Sequence, residues 1–246
     1  STVIQDRRGD GNGQDTLIGI ERLDFDTDFF DGIPFDLQQF AGTTGLSVTD
    51  FENFIELYIA YFNRAPDAVG LNFWGTAFAN GVSLAESAGL FVNQVETLAA
   101  YPTDLSNSDL VATIYQNVLG RIPDQAGFEF WVNALDSGGI GRDIAILGIL
   151  GGAKADPPTD ATQDFIDQQL ADRAFLANKT DIGAYFAVHK GMSDPDHASE
   201  AMGLFDGSAG SITNAVARID AFHDAALNAN TGEFLMPLIG VLDDPF

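Results

Sequence analysis

Six residues near the start, Asp10-Gly11-Asn12-Gly13-Gln14-Asp15, combine two properties that suit a turn to a hard cation. Glycines at alternate positions let backbone carbonyls rotate toward an ion, and carboxylates supply charge. Calcium takes about six to eight oxygens, so one such turn offers roughly half a cage. A complete site needs a second turn stacked on the first. None follows downstream, so on this reading the missing repeats lie upstream and the chain is a C-terminal portion of a longer parent. The candidate metal ligands are Asp10, Gly11, Asn12, Gly13 and Asp15, with calcium as the expected ion.

A second spacing overlaps the first. Asp10, Asn12, Gln14, Thr16, Ile18 and Glu21 occupy the ligand positions of an EF-hand loop, with Leu17 at its apolar place. Asp15 stands where that loop requires glycine, and "ERLDF" alternates like a strand instead of continuing a helix. A metal-free turn is the third reading. The acidic run Asp24, Asp26, Asp28 and Asp31 fits calcium or the solvated face of a hairpin.

Other chemistry is sparse. "SDPDHASE" brings Asp194, Asp196, His197 and Glu200 close together, as a zinc site would, but equally as a helix start with acidic residues in its first turn. No P-loop, H-E-x-x-H, G-x-S-x-G or G-x-G-x-x-G occurs, and cysteine is absent. Nothing singles out a glycosidase pair among the many carboxylates. With 11 basic against 36 acidic residues the net charge is −25, which repels nucleic acid and anionic membranes and favours divalent cations. No run of about 18 apolar residues exists to span a bilayer.

The elements that must position these groups fall into three parts: an opening of turn and β-hairpin over 1–45, a helical repeat region over 46–155, and a helical C-terminal part with a tail over 156–246. In the opening, Ile20, Leu23 and Phe25 alternate, Asp31-Gly32 turns the chain, and Phe35 and Leu37 follow, with Pro34 marking an edge strand. Phe51, Phe54, Ile55, Tyr58, Ile59 and Phe62 line one face of a helix. Ser83 with Glu86 predicts a capping box, and Ser106 with Asp109 a looser start. Later helices are predicted over Ala161–Ala177, Asp181–Lys190 stopped by Gly191, Pro195–Phe205 and Ile212–Asn228. "GGAKADPPTD" is the best internal boundary. The apolar tail "LMPLIGVLDDPF" has too little material to pack by itself.

The strongest organising signal is a repeat. Leu57–Gly81 aligns without a gap on Ile114–Gly138 at an offset of 57, matching Tyr58 with Tyr115, Arg64 with Arg121, Pro66 with Pro123, Asp67 with Asp124, Gly70 with Gly127, Phe73 with Phe130 and Trp74 with Trp131. Turn and core geometry account for every residue type. Pro and Asp start a helix, Gly permits close packing, Phe and Trp bury a face, and Arg pairs with the Asp or caps carbonyls. The competing reading has Arg64 and Arg121 bind an anionic ligand, against which the acidic surroundings argue.

This motif, a Tyr, then R-x-P-D-x-x-G-x-x-F-W and an Asn-Gly or Ser-Gly stop, resembles the DUF4214 family of helical domains, often found in secreted bacterial proteins, and more distantly phycobilisome linker domains. Leu176–Asp194 is similar to the usual continuation of such domains. "DTLIGIERLDF" resembles the segment joining RTX calcium-binding repeats to them, and the opening turn matches the RTX repeat at Gly11, Gly13, Asp15 and Leu17, with Asp10 in place of the first glycine. The resemblance implies a mainly α fold built from two related helix-turn-helix repeats. It also implies a non-enzymatic, calcium-associated binding or assembly module, extracellular or at the cell surface after a type I-like export, with a protein or polysaccharide partner. The alternative is a non-catalytic accessory end of a secreted hydrolase.

Overall fold

The structure is a computed structural model that describes residues 2–8, 11, 13–24 and 34–246. It is mainly helical, with a short antiparallel hairpin at its N-terminus. Strands β1 (Thr2–Gln5) and β2 (Gln14–Leu17) pair antiparallel, Thr2 opposite Leu17 and Gln5 opposite Gln14. A second pair follows: β3 (Arg22–Leu23) lies antiparallel to β4 (Phe35–Asp36). The predicted turn at Asp31-Gly32, with Phe25, Asp26 and Asp28, lies outside the described residues. Two 3₁₀ turns, Leu37–Phe40 and Gly42–Gly45, lead into the helices.

Helix α1 (Val48–Phe62) starts at a capping box in which the Ser47 hydroxyl accepts from the Asp50 N–H and the Asp50 carboxylate accepts from the Ser47 N–H. Its apolar residues go beyond one stripe. Ile55, Leu57, Ile59 and Tyr61 point different ways and all are fully buried, as befits a helix enclosed on every side. α2 (Ala68–Ala79), α3 (Leu84–Phe91), α4 (Val95–Ala100), α5 (Asn107–Leu119), α7 (Arg142–Lys154) and α8 (Gln163–Ala184) all pack on it. α6 (Gln125–Asp136) packs on α5 and α7 instead. The expected starts are present: Ser83 and Glu86 form a full capping box, and Ser106 accepts from the Asp109 N–H.

Where two helices were expected over 161–190, one helix runs through. Lys179 and Thr180, in the polar stretch that suggested a break, are both buried, and the Thr180 hydroxyl donates to the Leu176 carbonyl at 2.9 Å. Their polar groups are satisfied inside the helix or beneath it, so nothing stops the chain there. The helix ends in a π-type turn, Tyr185–His189, and Gly191 halts it at φ 64° as anticipated. α9 (Pro195–Gly203) and α10 (Ala209–Ala226) complete the body. A single apolar core runs from Phe51 to Phe222, across the Pro-Pro loop that follows α7.

The tail has no regular structure, yet it is docked. The Met236 N–H donates to the Gly191 carbonyl and the Leu238 N–H to that of Val188, while Leu235, Leu238, Val241 and Leu242 lie against the core. The opening segment reaches the same place: the Arg7 guanidinium donates to the Glu233 carbonyl at 2.6 Å, and the Phe35 and Phe234 rings meet edge-on at 5.8 Å.

The 3₁₀ turns lie across the outer face of α2. The Gly42 N–H donates to the Thr76 hydroxyl, the Thr43 hydroxyl to Asn72 Oδ1, and Gly75 leaves room for the Thr43 methyl and Leu46. A Cβ at Gly75 would fall inside contact distance of that methyl. Replacing Gly75 with Val is therefore expected to lower stability by about 1–3 kcal/mol through overpacking. Gly152→Ala, in open space within α7, is expected to raise it by up to about 1 kcal/mol. Urea titration of both variants checks the contrast.

Candidate functional site

The repeated motif builds two equivalent corners. Each first helix ends on a left-handed residue, Asn63 (φ 51°) after α1 and Gly120 (φ 66°) after α5. At Gly120 a side chain would run into the Phe175 ring, which explains glycine there; Asn63 is open enough to use its amide. Each second helix is capped by the motif aspartate: Asp67 accepts from the Gly70 N–H at 2.6 Å, Asp124 from that of Gly127 at 2.9 Å. The prolines precede these caps, two residues before the first helical position and so outside the first turn where the sequence placed them. Gly70 and Gly127 are glycines because the Tyr58 and Tyr115 hydroxyls press on them.

The arginines tie each corner to a third element. Arg64 forks onto Glu96 of α4 (2.5 and 3.0 Å), donates to the Ala65 carbonyl at 2.8 Å and lies 3.3 Å from Asp67. Arg121 repeats the pattern with Asp172 of α8 (both 2.7 Å), the Ile122 carbonyl (3.0 Å) and Asp124 (3.9 Å). Each guanidinium also sits over its motif tyrosine, 5.2 Å from the Tyr58 ring and 5.3 Å from that of Tyr115. Both cations are thus engaged within the fold, which favours the structural reading of the motif over an anion site.

Lys179 links the two corners from below. Its ammonium donates to Asn63 Oδ1 at 3.0 Å and to the Asn117 carbonyl in the last turn of α5 at 2.6 Å, beside the Phe175 ring. Burial pushes its pKa down to about 8. The Asn117 carbonyl, at the negative end of α5, favours the charged form.

Two places could concern a cation. In the opening turn, the Gly11 N–H donates to the Arg8 carbonyl, and Gly13 is left-handed (φ 79°) with its carbonyl accepting from the Asp6 N–H. Asp15 is exposed on β2, opposite Ile4. Asp10 and Asn12 lie outside the described residues. The acid that packs on Gly11 is Asp6, whose carboxylate is also forked by Arg8; it precedes the glycine pattern and so escaped the motif. The second place joins Asp194 and His197 with Glu233 of the tail, their ligand atoms all within 4.8 Å of one another. His197 Nδ1 is enclosed without a hydrogen-bond partner, 3.6 Å from Glu233 and 3.9 Å from Asp194, and the ring stacks on Phe222 at 3.8 Å. Asp196 is exposed, and Glu200 pairs with Arg218 instead. Asp194 also caps α9, as the helix-start reading required. Glu233 stands in an irregular tail, where periodicity carries no signal.

Residues 88–155 match the family described as a domain of unknown function, DUF4214. No curated protein and no solved structure matches the chain. The DUF4214 segment takes in the whole second corner, Arg121 and Trp131 included, and stops short of the first. The first copy differs from the second where it receives the 3₁₀ turns: Asn72, Gly75 and Thr76 stand for Glu129, Val132 and Asn133.

Two outcomes are expected from these ion pairs. Arg121→Met leaves the buried Asp172 carboxylate with only Gln168 and should cost about 2–3 kcal/mol, part of which Asp172→Asn in the same chain restores; denaturant unfolding of the three chains tests this. For Lys179, the folded chain binds fewer protons than the unfolded one between pH 8 and 10.5, so stability rises with pH across that window. Tyr58 and Tyr61 are raised above their usual values by burial, and Tyr101 is pushed up to about 12 for the same reason. They act oppositely, lowering stability above pH 10, so the test is the difference between the native chain and Lys179→Met. That difference should climb from pH 8 to 10.

Proposed function

We propose that this chain is a non-enzymatic, calcium-associated binding or assembly module of a secreted RTX-type bacterial protein, working outside the cell or at its surface on a protein or polysaccharide partner. The observation that carries the reading is the seat of the opening turn. Arg7, next to the Gly11–Asp15 stretch, is bonded to the tail at Glu233, and the tail is bonded to the end of the longest helix. An ion that orders the turn therefore also holds the helical body. The net charge of −25 supports the same reading: divalent cations are abundant outside cells, and their binding relieves self-repulsion. The DUF4214 match is compatible with it.

Calorimetric titration with calcium, paired with thermal melts in calcium and in chelator, tests the proposal. The expected result is binding at or below about 1 mM with a matching rise in Tm, both abolished by Asp15→Asn. Absence of heat together with unchanged melting would refute the calcium association.

A further inference from the structure

The two copies of the repeat treat the outer face of their second helix differently. On α2, Asn72 and Thr76 are 1% and 5% exposed because the chain's own 3₁₀ turns cover them, and Phe40 is tilted against Phe73 at 6.4 Å, leaving that ring 41% exposed. On α6 the equivalent Glu129 and Asn133 are exposed, Phe130 is 64% exposed, and Ile122 at the head of the corner is 79% exposed. The cover on α2 is uncharged and fits against Gly75. α6 has Val132 at that place, and Glu129 and Asp136 for Asn72 and Ala79. A copy of the residues 37–45 segment would meet a filled notch and two carboxylates. The substitutions change the kind of cover the face accepts: large apolar groups remain, flanked by acids, while Arg121 is already forked onto Asp172.

We infer that the outer face of α6 is a docking surface for a cationic, amphipathic segment of a partner protein. Such a segment would set apolar side chains on Phe130 and Ile122 and basic ones against Asp124, Glu129 and Asp136. Charge complementarity selects this occupant, because each acid that replaces a neutral residue of α2 penalises an uncharged cover and rewards a basic one. The inference rests on the reading of the chain as a binding module and is independent of calcium.

The probe is a synthetic helix-forming Lys/Leu peptide of about four turns, with a Lys/Ser peptide of equal charge as control. Trp131 lies 5.0 Å from Phe130, so its fluorescence in a Trp74→Phe chain reports binding, measured in chelator and again in calcium. The Lys/Leu peptide is expected to bind about tenfold more tightly than the Lys/Ser peptide. Phe130→Ser should erase that preference, Phe73→Ser on the covered copy should leave it intact, and Glu129→Gln with Asp136→Asn should weaken binding and flatten its salt dependence. Equal affinity for the two peptides would overturn the inference, leaving only general attraction to an acidic chain. So would undiminished preference in Phe130→Ser, or equal losses in Phe130→Ser and Phe73→Ser. Failure of the calcium titration with success here would separate the two proposals.

Discussion

The helical body depends on a guanidinium held at each of the two repeated corners. A left-handed residue ends one helix and an aspartate caps the next, and the arginine between them must satisfy a carbonyl, the capping acid and a carboxylate from elsewhere. The third partner fixes tertiary structure: Arg64 pins α4 to the first corner and Arg121 pins α8 to the second. Lys179 then sets both corners on one helix. Desolvating these cations is costly, and each cost is met by several hydrogen bonds converging on one group. That convergence makes the corner geometry hard to vary.

Duplication gives two copies of this unit unequal surroundings. The first copy contributes α1, which is buried on all sides, and its second helix is roofed by the opening segment. The second copy stands at the periphery, and its outer residues have become charged while two large apolar groups stay in solvent. Identical corner chemistry therefore coexists with different outer faces, since corner residues answer to the turn and outer residues answer to whatever lies beyond them.

The repeat, the caps of α3 and α5 and the stop at Gly191 were legible in the sequence, because each rests on local backbone geometry with a strong residue preference. The role of Arg64 and Arg121 was half legible. Their pairing with Asp67 and Asp124 follows from spacing, whereas Glu96 and Asp172 are brought in by packing. The continuity of α8 was hidden because Lys179 and Thr180 look like solvent residues until their partners are known. Strands β1 and β2 were not legible, because nearly every residue of both is exposed and so neither shows the alternation that marks a half-buried strand. Glu233 and Asp6 could not be found by motif: one belongs to an aperiodic tail, the other precedes the pattern it joins.

The meeting of the opening segment and the tail has a mechanical consequence. Separation of the two ends of the chain is opposed by the Arg7–Glu233 bond, the Phe35–Phe234 and Tyr185–Phe246 contacts and the two bonds from the tail to the end of α8. These attachments must part before the ends can separate, so they are loaded ahead of the core packed around α1.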